Sequence, residues 1–184
     1  MTKTKKQIDM ATTWILDPTH AEVSFKVKHL VISTITGYFR ALEGKVTTDS
    51  EDDFSNAKVA FSIDTASIDT NQEQRDEHLR SADFFDAEKN PKITFASTSL
   101  EKKGDDFVLT GDLTISGTTL PVTLDVEHGG IVTDGYGNVK AGFEVTGKIC
   151  RKAFGLTWSA VTEAGAIVVG DDIKLAANLQ FVKQ

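Results

Sequence analysis

Four histidines, one cysteine and a few groups of carboxylates are the residues of this chain with reactive chemistry to offer, and their spacing decides how much is usable. His20, His29, His78 and His128 are scattered, with no H-E-x-x-H or comparable ligand spacing, so no metal site is expected. The acidic stretch Asp49, Glu51, Asp52 and Asp53 lacks the central glycine and terminal glutamate of an EF-hand, and reads as a solvated loop. Arg75, Asp76 and His78 sit close enough for acid–base work, but such residues on a capped surface helix are normally ion-paired structure. No G-x-S-x-G elbow is present. The glycines at 129, 130, 135 and 137 are followed by neither Lys-Ser/Thr nor a helix start, so they form no phosphate loop. A lone Cys150 excludes an intramolecular disulfide and any multi-cysteine metal centre. No catalytic or metal-ligating residue is assigned, no cofactor is expected, and the chain does not read as an enzyme.

What remains is apolar chemistry with a period of two. In β-strands alternate side chains face opposite sides, so an alternating segment has one apolar and one wet face. The last such segment, residues 172–182, places Ile173, Leu175, Ala177, Leu179 and Phe181 on one side and charged or amide residues on the other. The same reading puts Phe25 and Val27 inward with Val23, and His29 in the same phase near a strand end. There His29 is better explained by a hydrogen bond at the core rim than by a ligand contact, though it stays among the candidates. Phe61 and Ile63, Phe95, Phe107 with Leu109 and Leu113, Leu124, and Phe143 with Val145 repeat the pattern. Phe39 lies in a segment of unclear phase, residues 37–48, where a bulge near Glu43 and Gly44 would reconcile Phe39 with Val46. Small inward residues, Gly111, Gly147 and Ala177, leave room between the large ones and favour a channel over a filled core.

Many one-sided strands in one chain of 184 residues must share an interior, which makes this all-β protein a closed or sandwiched antiparallel sheet. Asp17, Pro18, Thr19 and His20 read as a turn between two strands, and residues 128–138 as a long hairpin connection. Residues 70–87 break the pattern. Thr70 followed by Glu73 matches a capping box, with a helix from Gln72 to about Arg80 and a second short turn carrying Phe84 and Phe85. Residues 150–158 have no period and are expected to lay Phe154 and Trp158 over one end of the sheet. Met1 to Thr13 is polar and lysine-bearing, and is expected to be a tail outside one domain spanning 14–184. It lacks the apolar core of a secretory signal, so the expectation is a cytoplasmic protein, or a periplasmic one if the natural chain begins earlier. The net charge of −7 argues against nucleic-acid binding, and no apolar run approaches the ~20 residues of a membrane-spanning helix.

Several segments in order resemble the YceI-like family of polyisoprenoid- or lipid-binding proteins. They are W-x-L-D-P-x-H (Trp14 to His20), F-x-V-x-H-L (Phe25 to Leu30), Gly37 with Phe39, R-D-x-H-L-R-S-x-D-F-F-D (Arg75 to Asp86) and P-x-I-T-F (Pro91 to Phe95). G-D-L-T-I-x-G-T (Gly111 to Thr118), R-x-x-F-G-L (Arg151 to Leu156) and V-G-D-x-I (Val169 to Ile173) complete the set. Ala21 and Ala153 depart from the family's usual serine and acidic residue. The resemblance implies an elongated, eight-stranded antiparallel lipocalin-like barrel with one short helical segment near one end. It implies a long apolar amphiphile in the interior: a polyisoprenoid, an isoprenoid quinone or a fatty-acid-like lipid. It further implies a homodimer, as several members are dimeric. The residues alone leave the alternative of a core-filled barrel that serves as an interaction module without a lipid.

Overall fold

Alternating segments joined by short turns pair with their neighbours in sequence, and here that pairing runs until the sheet closes. The computed structural model describes residues 11–160, 162, 163 and 167–184. Its strands are β1 (Thr12–His29), β2 (Ser33–Phe39), β3 (Leu42–Thr48), β4 (Lys58–Asp64), β5 (Ile68–Asp69), β6 (Lys92–Lys103), β7 (Asp106–Ile115), β8 (Thr118–Thr133), β9 (Val139–Cys150) and β10 (Asp172–Lys183). Among the described residues one α-helix is present, α1 (Glu73–Arg80), between β5 and β6.

From β6 to β10 the strands form a meander, and β10 returns to pair with β1, from Trp14 opposite Lys183 to Lys26 opposite Lys174. On its other side β1 pairs first with β3, Thr12 opposite Thr48, and then with β2, Val23 opposite Phe39. Thus β2 and β3 are two halves of one strand position. Likewise β5 continues β4 beyond a 3-10 turn at Thr65–Ser67 and pairs with β2. The result is a closed, eight-stranded antiparallel barrel, as expected. Closure satisfies both edges of the sheet, which would otherwise present unpaired backbone groups.

The structure corrects four local expectations. Asp17 to His20 is not a turn but a bulge within one continuous strand, since the β1–β10 register shifts between Leu16 and Ala21. The bulge is fastened from within: Thr19 donates its hydroxyl to the Asp17 carboxylate at 2.6 Å and His20 Nδ1 lies 3.0 Å from the same group. These contacts, the Thr19 hydroxyl foremost, hold the Asp17 carboxyl at about 2. Residues 37–48 contain no bulge at Glu43. The strand breaks at Arg40 and Ala41, and Arg40 turns outward to Asp69 at 3.1 Å. Strand β8 runs on to Thr133, with a register shift between His128 and Gly130, so the connection to β9 is only residues 134–138. Finally, Thr12 and Thr13 already belong to the sheet. The rest of the expected tail, residues 1–10, lies outside the described residues, as does Ala166.

Candidate functional site

The inward side chains form three layers along the barrel axis. At the end where the strand connection 49–57 lies, Trp14, Phe54, Phe107, Val126, Ala141 and Phe181 are all buried and pack together. Phe54, from the acidic loop, plugs this end: its ring lies 5.1 Å from Trp14, 5.2 Å from His128 and 5.0 Å from Phe143. At the opposite end Phe39, Ile93, Ile115, Ile149, Phe154 and Leu156 form a second buried cluster. Between them, Phe25, Phe61, Phe95, Leu124, Val145 and Leu175 face inward and yet are only half-buried. Their uncovered surface bounds an internal cavity of about 230 Å³. That exceeds the ~150 Å³ of an apolar cavity that stays dry and takes up benzene.

The inward glycines work differently from the sequence expectation. A Cβ on Gly111 would lie 2.4 Å from the Phe95 ring, one on Gly37 2.2 Å from the Phe25 ring, and one on Gly147 2.3 Å from Leu124 Cδ2. The space over each glycine is therefore occupied by a neighbour. Because these large side chains can lie down on bare backbone, they stay against the wall and do not cross the lumen. The open volume lies beside them.

The second end is covered by the segment that breaks the β pattern. Leu79 of α1 and the following Phe84 and Phe85 reach the cavity, and Phe85 meets Phe39 edge-on at 5.9 Å. Phe84 in turn contacts Trp158 at 5.1 Å, and His78 contacts both rings. The capping box is not formed. Gln72 is the N-cap, accepting from the Arg75 amide at 2.6 Å. Thr70 is buried and donates its amide and its hydroxyl to the buried Asp76 carboxylate, at 2.9 and 2.5 Å. It ties α1 to β5 and leaves the helix amides to Gln72. On the other side of the mouth, buried Arg151 organises the irregular connection to β10. Its guanidinium donates to the carbonyls of Gly170 at 2.8 Å, Leu156 at 2.7 Å and Trp158 at 2.7 Å. A planar fork of donors suits three converging carbonyls, and an unpaired buried cation would be costly.

Of the eighteen candidate contacts, the structure brings Phe25, Val27, Phe39, Phe61, Ile63 and Phe84 to the cavity wall. Phe95, Leu109, Leu113, Leu124, Val145 and Leu175 join them there. The other six do not line it. Phe107, Phe143 and Phe181 pack in the plugged end, because inward phase alone does not distinguish a filled layer from an open one. Phe154 is buried in the second cluster, and Trp158 lies against Phe84 with its ring tilted by 42°. His29 sits at the rim, where its backbone bridges to Val169. Sequence reasoning missed Leu79, Phe85 and Val169 as wall residues, which lie off the β alternation, and missed Phe54 as the plug. An aromatic within an otherwise acidic loop was the signal for Phe54. It also missed that the alternation from Leu120 runs on to His128, whose ring stacks on Phe143 at 4.9 Å. Burial holds the His128 imidazole below its ordinary value, against the pull of Asp106. Among the described residues no three His, Cys, Asp or Glu side chains are grouped to hold a metal ion.

Fold and site together define an antiparallel barrel with a blind apolar cavity, plugged at one end and covered by a helical segment at the other. A sequence model of the YceI-like domain matches residues 14–181, and the chain belongs to the YceI-like family. It is 46% identical over 165 residues to protein YceI of Escherichia coli, covering 90% of this chain and 83% of that one. The crystal structure of the Campylobacter jejuni YceI protein superposes with a TM-score of 0.71 at 33% identity, over 85% of this chain and 90% of that one. A polyisoprenoid-binding domain from Saccharophagus degradans shares the fold, with a TM-score of 0.67 at 16% identity over 93% of this chain and 98% of that one.

Proposed function

We propose that this protein binds the apolar chain of a long amphiphile inside the barrel and so sequesters or carries it. A polyisoprenoid, an isoprenoid quinone or a fatty-acid-like lipid are the classes that suit the cavity. The observation that carries the reading is the half-buried middle layer: inward apolar side chains with uncovered surface around a cavity that is stopped by the Phe54–Trp14 cluster at one end and runs in among the second cluster at the other. Apolar surface without a partner is unfavourable, and a chain of methylene or isoprene units covers it at about 0.8 kcal/mol per carbon. The name of the Saccharophagus degradans domain, which shares this fold, points the same way. By proportion to the benzene-sized cavity, the space takes on the order of nine carbons. A longer chain has to extend toward α1, because the opposite end is filled by Phe54 and Trp14. The amphiphile therefore enters tail first, with its head group left at the α1 end and the α1 segment moving to admit it. No chemical step is assigned to the protein.

The test is solvent extraction and mass spectrometry of the protein purified from its host, followed by titration of the stripped protein with a polarity-sensitive fluorescent lipid. A saturable uptake with a blue-shifted emission is expected. A stripped protein that takes up no apolar probe would leave the barrel as an interaction module.

A further inference from the structure

The turn between β1 and β2 breaks the rules of its own geometry. Residues 30–32 close a hairpin in which His29 faces Ser33. Leu30 and Val31 both have left-handed backbones, with φ of 51° and 64°. Such positions normally fall to glycine, asparagine or aspartate, and a β-branched residue there is a genuine outlier. The side chains are also in the wrong solvent. Val31 is 68% and Ile32 84% exposed. The adjoining segment is tied to the hairpin by backbone, with the Leu30 amide donating to Val168 and His29 bridging to Val169, and it carries a further exposed apolar residue, Ile167, 50% exposed. Strain and exposure at one apolar tip are unfavourable for folding and point to a use elsewhere.

The surroundings indicate what covers the tip. On its β2 side the hairpin pairs with β5 only at Tyr38 and Phe39, so among the described residues the stretch 33–37 has no strand partner on that edge. On its outer face Lys26 stands opposite Lys174, which stands opposite Lys148. Like charges directly opposite are destabilising in a sheet. Lys148 is paired with Asp172, but Lys26, Lys28 and Lys174 are exposed and make no salt bridge among the described residues. The nearby carboxylate of Asp171 is engaged by Arg151 and Lys152. The far end of the barrel instead carries the exposed acids Asp49, Glu51, Asp52 and Asp53. A protein of net charge −7 thus keeps three unpaired cations on the β1–β10 face beside its apolar tip, while the exposed acids of the same end, Glu73, Glu77, Asp83 and Glu88, lie on the helical segment.

We propose that the 30–32 turn, with Ile167, is a docking tip that inserts into an anionic lipid bilayer while Lys26, Lys28 and Lys174 meet its head groups. The tip lies at the α1 end, where the cavity would open. This rests on the lipid-carrier reading for its purpose but not for its test. Apolar side chains at an interface combined with juxtaposed lysines are the two signals that give stable yet reversible membrane association.

The experiment is co-sedimentation of the full chain with vesicles of phosphatidylcholine alone and of phosphatidylcholine with phosphatidylglycerol. Binding to the anionic vesicles only, weakening with added salt, is expected. Val31→Gly with Ile32→Asn should reduce it at least about tenfold while the hairpin stays at least as stable, because glycine suits the left-handed backbone at 31. Lys26→Glu with Lys174→Glu should reduce it by about fivefold per lysine. Uptake of a soluble fluorescent lipid by the same variants in the absence of vesicles should be unchanged. Failure of the wild type to take up that lipid, with its binding to anionic vesicles intact, would strike the carrier reading and leave the docking tip standing. The proposal is overturned if anionic vesicles are not bound, or if the turn variant binds them as well as the wild type. It is equally overturned if sedimentation shows a dimer that the turn variant dissociates, which would make the tip a contact between two chains.

Discussion

Replacing Ala177 by phenylalanine tests the cavity most directly. Ala177 is on the inward phase of β10, between Val23 of β1 and Val145 of β9, and lines the cavity. A phenyl group is close to benzene in size. Set against a benzene-accepting cavity of ~150 Å³, it would take up roughly two-thirds of the 230 Å³ available. Filling empty apolar space stabilises by about 0.5–2 kcal/mol, whereas forcing a ring into a packed layer costs about 1–3 kcal/mol or more. The control is Ala141, also inward, on β9, but 1% exposed within the plugged end and opposite Phe181. Thermal unfolding of stripped protein should therefore show Ala177→Phe unchanged or raised, and Ala141→Phe lowered. At about 2–4 °C per kcal/mol for a chain of this size, the two melting points should differ by roughly 3–20 °C. In ligand titrations the ring at 177 displaces on the order of four to six carbons of the guest. At ~0.8 kcal/mol each, that weakens binding of an apolar probe at least a hundredfold. Equal destabilisation at both positions, or undiminished binding by Ala177→Phe, would refute the open middle layer.

Three further outcomes follow from individual contacts. Gly111→Ala should destabilise by about 1–3 kcal/mol in urea unfolding, since its Cβ meets the backbone oxygen of Ala96 at 2.5 Å; Gly147→Ala should be nearly neutral, since Leu124 can swing into the cavity. Thr70→Ala removes the hydroxyl that holds Asp76 and Arg75, so amide exchange in α1 should quicken and a fluorescent lipid should exchange faster. Unchanged lipid exchange with faster amide exchange would make the segment a fixed cover. His128 titrates near 6.5 when unfolded and lower when folded, so the unfolded state takes up the proton first as the pH falls. Stability should be full above about pH 6.5 and decline below it, and His128→Phe should flatten that part of the urea-midpoint profile. An identical profile in the variant would place the titration elsewhere.

Period-two alternation was enough to establish a closed or sandwiched antiparallel sheet and most of its inward set, because a strand's two faces are fixed by local backbone geometry alone, while the closed eight-stranded barrel was what the family resemblance implied. The segment at 70–87 was legible for the same reason, as a stretch that abandons the alternation for a helical one. Which inward residues meet open space was not legible. Phe61 and Phe107 carry the same phase, but Phe107 ends up under Phe54 and Trp14 while Phe61 lies against Gly44 and faces the cavity. That difference comes from the register between strands and from a loop folding back over one end, both of which join residues far apart in the chain. The bulge at Asp17 to His20 and the break at Arg40 and Ala41 belong to the same class. Each lets β1 and its neighbour stay in step around a closed circuit, a condition imposed by the whole barrel and by no segment of it. Thr70 carries the same lesson. Its sequence fits a capping box, but the buried Asp76 carboxylate needs donors more than the exposed helix amides do, and only the packed structure brings that carboxylate to it.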